Sequence, residues 1–270
     1  MKVGFIQSSP KFGEVQANVD DALKRLSTLA KKGARLVVLP ELFNTGYQFK
    51  NKREAAELAE PLTPKGYTTA RLMEAARDHK LHIVAGLVEV SRGKVYNSSV
   101  LVGPKGVIGV YRKAHLFYNE KKIFSKGNTP FKVYDIGGIK GGLKIGMMIC
   151  FDWLFPEVTR RLALLGADII CHPSNLVLPN CPEAMITRAL ENRVFTITAN
   201  RIGTEARIKG SRLKFIGKSE IVSPMGALLC RASGSRAETR LASVDTKDSR
   251  DKKITPFNDV FKDRRIELYS

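Results

Sequence analysis

The chain has no stretch approaching the ~20 consecutive apolar residues of a membrane-spanning helix, so no membrane role is expected. It opens on the strand-like Lys2-Val-Gly-Phe-Ile-Gln7 rather than on a basic-then-apolar segment, and no signal peptide is expected. Its four cysteines, Cys150, Cys171, Cys181 and Cys230, lack the paired spacing of a disulfide framework, which points to a reducing cytoplasm. Gly-x-Gly-x-x-Gly does not occur, so no dinucleotide cofactor is indicated. Linkers, repeats and low-complexity segments are absent too, and one domain over residues 1–270 is expected. Acidic residues are scarce: 26 Asp plus Glu face 45 Lys plus Arg, a formal charge of +19. Such an excess could serve nucleic acid or an anionic surface. The basic residues are scattered over helix faces, turns and the tail, however, which reads as a solvated surface with no nucleic-acid partner. A basic nucleic-acid-binding or scaffold protein is the alternative of another class.

The composition is 43% hydrophobic and 26% charged, that of a globular protein with ample core. Val19, Ala22, Leu23, Leu26, Leu29 and Ala30 mark one helix face, closed by Gly33. Arg35 to Pro40 is a short apolar run, read as a buried parallel strand. A short helix before Pro64 and a second through Leu72, Ala75 and Ala76 follow. Then come strands His82–Val90, Val95–Val102 and Val107–Tyr111, separated by hairpin turns. Residues 113–130 read as a long loop, a feature usually tied to function. Strands Phe131–Ile136 and Leu143–Ile149 flank a Gly-rich hairpin. Helix Pro156–Leu165, strand Asp168–His172, helix Pro182–Arg193 and strand Val194–Ala199 complete an alternating α/β pattern. The remainder reads as antiparallel strands and a charged tail.

The apolar run Leu143–Ile149 ends at Cys150, and Pro156-Glu157 then favours a helix start. Cys150 is thus expected at a strand-to-helix elbow, where free N–H groups would lower the thiol pKa and hold an oxyanion. A buried strand-end cysteine is the other reading. Glu41 and Lys113 likewise each stand just beyond an apolar strand, where crevices form in open α/β sheets. Carboxylate, ammonium and thiol would supply base, electrostatic clamp and nucleophile. Taken singly, Glu41 and Lys113 read as charged loop residues that coincide.

With Leu39-Pro-Glu41-Leu-Phe, Tyr111-Arg-Lys113-Ala-His-Leu-Phe and Met148-Ile-Cys150-Phe-Asp-Trp-Leu-Phe-Pro-Glu157, the chain resembles the nitrilase, or carbon–nitrogen hydrolase, superfamily. Ala167–Asn175 and Arg188–Arg193 extend the likeness over essentially the whole length. The resemblance implies a four-layer α-β-β-α sandwich, usually dimerised, with the last ~20 residues as a tail in dimer packing. It implies Cys150 as nucleophile, Glu41 as general base, Lys113 as the stabilising cation and Glu120 as a second glutamate that positions substrate and Lys113. The Phe151 N–H joins Lys113 in holding the oxyanion. No cofactor is implied.

The activity implied is hydrolysis of a non-peptide C–N bond in a small amide or N-carbamoyl compound through a cysteine thioester. Hydrolysis of small aliphatic nitriles is the alternative. Cys-Phe-Asp-Trp departs from the Cys-Trp-Glu of many plant and bacterial nitrilases. Two competing signals are weak. Phe215-Ile-Gly-Lys-Ser219 suggests a phosphate loop, but Arg212 stands where its first glycine belongs and a strand follows. Cys171-His172 with Cys181 lacks a fourth metal ligand and reads as core.

Overall fold

The computed structural model describes residues 1–137 and 142–269. The first half runs β1 (Lys2–Gln7), α1 (Val15–Lys31), β2 (Ala34–Val38), α2 (Lys52–Glu57), α3 (Tyr67–His79), β3 (His82–Ser91), β4 (Lys94–Gly103) and β5 (Gly106–Arg112). The middle comprises α4 (Glu120–Ile123), β6 (Val133–Asp135), β7 (Lys144–Met147), α5 (Pro156–Leu164), β8 (Ile169–Pro173), α6 (Cys181–Asn192) and β9 (Phe195–Ala199). The last part holds β10 (Ile202–Ile208), β11 (Ser211–Ile216), β12 (Glu220–Val222), β13 (Leu228–Arg231), β14 (Glu238–Ser243) and α7 (Thr246–Arg250).

Two six-stranded sheets form, in the orders β14-β1-β2-β3-β4-β5 and β13-β12-β9-β8-β7-β6, with β10-β11 as a separate hairpin. Parallel runs β1-β2-β3 and β7-β8-β9 make the sheet centres, and antiparallel strands complete the edges. Residue alternation sets the layers. Val3, Phe5, Leu36, Val38 and Val84 pack against Ile145, Met147, Ile169, Cys171 and Ile197 of the second sheet. Their neighbours Ile6, Val37, Leu39 and Ile83 turn the other way, onto Val19 and Leu26 of α1 and Leu72 and Ala76 of α3. Helices α5 and α6 cover the second sheet through Val158, Leu162 and Met185. The result is the four-layer α-β-β-α sandwich.

Several sequence expectations change in detail. The expected strand Phe131–Ile136 contracts to β6, and the Gly-rich hairpin after it falls on 138–141, outside the described residues. The loop 113–130 contains the helical turn α4. Strand β7 stops at Met147, because a 3-10 turn, Cys150–Leu154, intervenes before α5. Cys150 therefore begins this tight turn and not the α-helix that Pro156 opens. After Ser219 the chain enters strand β12, as the phosphate-loop objection anticipated.

Candidate active site

The carboxyl ends of β2 and β5 deliver the charged residues. Glu41 lies three residues past β2, and its backbone presses on β3 at Gly86, where a Cβ would sit 2.5 Å from the Glu41 Cα. A side chain there would displace Glu41. Lys113 follows β5, anchored by its N–H to the Asn97 carbonyl at 2.9 Å. Gly127 packs on it so closely that a Cβ would meet the Lys113 carbonyl oxygen at 2.5 Å.

Both side chains are fully buried. Lys113 Nζ donates to Glu41 Oε1 at 2.7 Å and to Glu120 Oε1 at 2.8 Å. Asn97 Nδ2 donates to Glu41 Oε1 at 2.6 Å, while Glu41 Oε2 has no hydrogen-bond partner among the described residues. One oxygen thus anchors the carboxylate and the other is left unpaired among the described residues. Glu120 Oε1 also accepts from the Tyr47 hydroxyl at 2.6 Å, and its Oε2 from the Phe117 N–H at 3.1 Å. Glu120 is held by three donors and holds Lys113 in turn.

The second sheet delivers the thiol on a tight turn. Cys150 adopts φ +41°, and Leu42 and Tyr118 in the facing loops also have positive φ, at +49° and +47°. Strained backbone clusters where a site over-determines it. His172 fixes the elbow: its Nε2–H donates to the Cys150 carbonyl at 2.9 Å, and its Nδ1 accepts from the Thr198 hydroxyl at 3.1 Å. The carbonyl can only accept, so the tautomer follows. Buried Asp152 accepts from the Ile149 N–H at 2.9 Å and the Tyr111 hydroxyl at 2.8 Å, and contacts His115 Nδ1 at 2.7 Å. It ties the cysteine turn to the segment that carries Lys113. Among the described residues, no backbone carbonyl beyond the Cys150–Leu154 turn takes the Phe151 N–H.

Electrostatics correct one expectation. The elbow was expected to lower the Cys150 pKa; instead burial and then the Glu41 charge push it well up, against the pull of Lys113 and the Asn175 backbone N–H. Burial thus favours the neutral thiol over the thiolate. Burial opposes the charge on Lys113, yet Glu120, Glu41 and the cysteine outweigh it and raise its pKa, so the ammonium persists. Burial also raises the Glu120 pKa, against Lys113. His172 is pushed down to about 4 by burial, which keeps the imidazole neutral.

A chamber at the thiol is lined by Phe117, Phe151, Trp153, Asn175 and Leu176. A second cavity adjoins it through Phe117 and Val177 and reaches Tyr47, Glu120 and the β10-β11 hairpin at Leu213. Among the residues lining both, Glu120 is the sole charged one. Glu41, Lys113 and Glu120 are joined directly, and Cys150 lies close enough for all three charges to act on it. Asn97, Tyr47, Asp152, His172 and Asn175 were not assigned from sequence. Asn97 was visible only as a polar residue within the apolar run of β4, and Asp152 only as the acid two places after Cys150.

Comparison with known proteins agrees with this geometry. The carbon-nitrogen hydrolase family model matches residues 2–253. The chain is 50% identical to a nitrilase of Pyrococcus abyssi over 100% of its own length and 99% of the relative's. It is 34% identical to an (R)-stereoselective amidase of a Pseudomonas species, over 99% and 93%. A carbon-nitrogen hydrolase from Helicobacter pylori G27 superposes with a TM-score of 0.88 at 26% identity, covering 100% of this chain and 97% of that one. A strand-end thiol under a buried carboxylate–ammonium pair, in the same two-sheet frame and with this degree of likeness, places the chain in the carbon–nitrogen hydrolase family of the nitrilase superfamily, as an enzyme that hydrolyses carbon–nitrogen bonds.

Proposed function

We propose that the chain hydrolyses small, uncharged primary carboxamides to a carboxylic acid and ammonia. Glu41 Oε2 takes the thiol proton as the sulfur attacks the carbonyl carbon. The oxyanion forms against the Lys113 ammonium and the Phe151 N–H. Glu41 then returns the proton to the departing nitrogen, and ammonia leaves a Cys150 thioester. A water deprotonated by Glu41 attacks that thioester, releasing the acid and the thiol. Glu120 positions Lys113, and through it the substrate.

One observation carries this reading: Glu41 keeps one oxygen free while the other is pinned beside a buried ammonium. The uncharged acyl group follows from cavity walls that offer no cation for a carboxylate and no carboxylate beyond the occupied Glu120. Nitrile hydrolysis is the second reading, favoured by the 50% identity to a protein named nitrilase. Ammonia release across matched primary amides, N-carbamoyl compounds and aliphatic nitriles separates them, with mass spectrometry of the acylated Cys150 peptide as the check on mechanism. Nitrile turnover without amide turnover would reverse the order.

The same reading takes residues 1–270 as one catalytic domain that pairs with a second copy through its last residues. Exposed Phe257, Ile266, Leu268 and Tyr269 on that tail support it. A reducing, cytoplasmic location is supported by the four free cysteines. Light scattering of the full chain beside one truncated after residue 253 tests the pairing.

A further inference from the structure

Asn175 stands two residues beyond β8, with its side chain 2% exposed on the wall of the thiol chamber. Neither Oδ1 nor Nδ2 has a hydrogen-bond partner among the described residues. Leaving a buried amide unpaired is costly, and native structures rarely do so without a reason. Its neighbour Asn200 shows the contrast. Asn200 Oδ1 accepts from the Leu176 N–H at 2.9 Å and Nδ2 donates to the Gly217 carbonyl at 2.6 Å, so it is consumed by structure. The walls beside Asn175 are Phe117, Phe151, Trp153, Leu176 and Val177, which supply it no carboxylate, carbonyl side chain or cation.

We infer that Asn175 is a specificity-determining residue that reads the scissile group as a carboxamide. An asparagine side chain offers one acceptor and one two-proton donor, and a primary carboxamide offers the complementary pair. Paired face to face, Nδ2 donates to the substrate carbonyl and Oδ1 accepts from its NH₂ group. The carbonyl is thereby held in the chamber that Asn175 shares with the Cys150 thiol. A nitrile carries an acceptor and no donor. It leaves Oδ1 unpaired and buried, and a site with an orphaned polar group discriminates strongly against such a ligand. The inference rests on the carboxamide reading above and adds to it the residue that enforces the choice.

The test compares matched pairs, such as isobutyramide and isobutyronitrile, in the parent enzyme and in Asn175→Leu, which keeps the side-chain volume and removes both polar atoms. Turnover gives kcat and KM, and binding is measured in the Cys150→Ala background, where no substrate is consumed. Amide affinity and kcat/KM are expected to fall roughly tenfold or more, while nitrile affinity changes by less than about threefold. Asn175→Ala, which cannot overpack the chamber, serves if the leucine variant does not fold. Equal weakening of amide and nitrile, or no weakening of either, overturns the role of Asn175 and leaves the carboxamide reading standing. Parent enzyme that hydrolyses nitriles but none of the matched amides overturns that reading, and the inference with it.

Discussion

The two sheets furnish the site unequally. The first supplies the buried ion-pair cluster, Glu41, Lys113 and Glu120, together with Asn97 and Tyr47 that hold it. The second supplies the thiol, on a turn held by the neutral His172 imidazole at the Cys150 carbonyl and by the Asp152 carboxylate at the Ile149 N–H. Burial alone explains why. Cys171 and Cys181 are as buried as Cys150, and burial pushes both thiols up toward inertness. Cys150 differs in having a free carboxylate oxygen and an ammonium across the sheet interface. Glu41 and Glu120 share the Lys113 ammonium on one side, while His172 and Asp152 fix the cysteine turn on the other. Buried charges are tolerable here because two carboxylates share one ammonium and each has further donors.

If the division is correct, breaking either the nucleophile or the base is most severe. Cys150→Ala and Glu41→Gln should both reduce amide turnover to background with the fold retained. For a nucleophile, loss on the order of 10⁶-fold has precedent in other hydrolases. Circular dichroism with a sensitive ammonia assay checks both, and residual turnover within a hundredfold of the parent in Glu41→Gln would remove its role as base. Lys113→Arg comes next. It keeps the charge, but the broad planar guanidinium cannot fit between Glu41 and Glu120. A loss of about 100- to 1,000-fold in kcat is expected, the range for one oxyanion donor. Activity within a few-fold of the parent would mean that charge alone suffices.

The sequence carried the charged half better than the neutral one, for physical reasons. Glu41, Lys113 and Cys150 each follow an apolar run, so strand ends could be read locally and brought together by the rule for parallel sheets. The matched motifs supplied the two-sheet stack. Apolar strands alone could not, since a strand buried on both faces reads the same whether helices or another sheet cover it. Asn97, Tyr47 and His172 bond partners 22 to 73 positions away, and Asn175 has a side chain unpaired among the described residues, which no local pattern encodes. The thiol pKa was misjudged for the same reason. An elbow and its amides are visible in sequence, whereas the depth of burial and the nearness of Glu41 are not.

Glu120 sharpens the comparison from inside the charged half. Its oxygens already serve Tyr47, Lys113 and the Phe117 N–H, so Glu120→Gln should act by loosening Lys113. Losing one charge-assisted hydrogen bond is worth roughly 10- to 100-fold in kcat. The loss should be the same for an amide and its matched nitrile, because Lys113 serves both reactions. Steady-state kinetics on the pair decides the point. A loss confined to amides would show that Glu120 touches the substrate directly and would move amide recognition away from Asn175.

The smallest expected effect tests the neutral half through pH. His172 titrates near 4 in the folded chain because of burial, against 6.5 for the free side chain. Between those values the unfolded chain binds a proton that the folded chain refuses, so stability rises with pH across the window. The contribution of the neutral imidazole is fully present above about 6.5 and is lost progressively as the pH falls toward 4. His172→Gln keeps a donor for the Cys150 carbonyl and removes the titration. Its melting temperature should lie below the parent's at pH 7, where the ring packs better, and the gap should narrow on acidification from 6.5 to 4. The expected convergence is a few degrees, measured by thermal unfolding in buffers of constant ionic strength. Turnover at pH 7 should fall by less than in any charged-half variant, since the hydrogen bond to the Cys150 carbonyl survives. A gap that stays constant over that range would mean that His172 accepts its proton without cost, and the second sheet could then not be described as neutral by design of its burial.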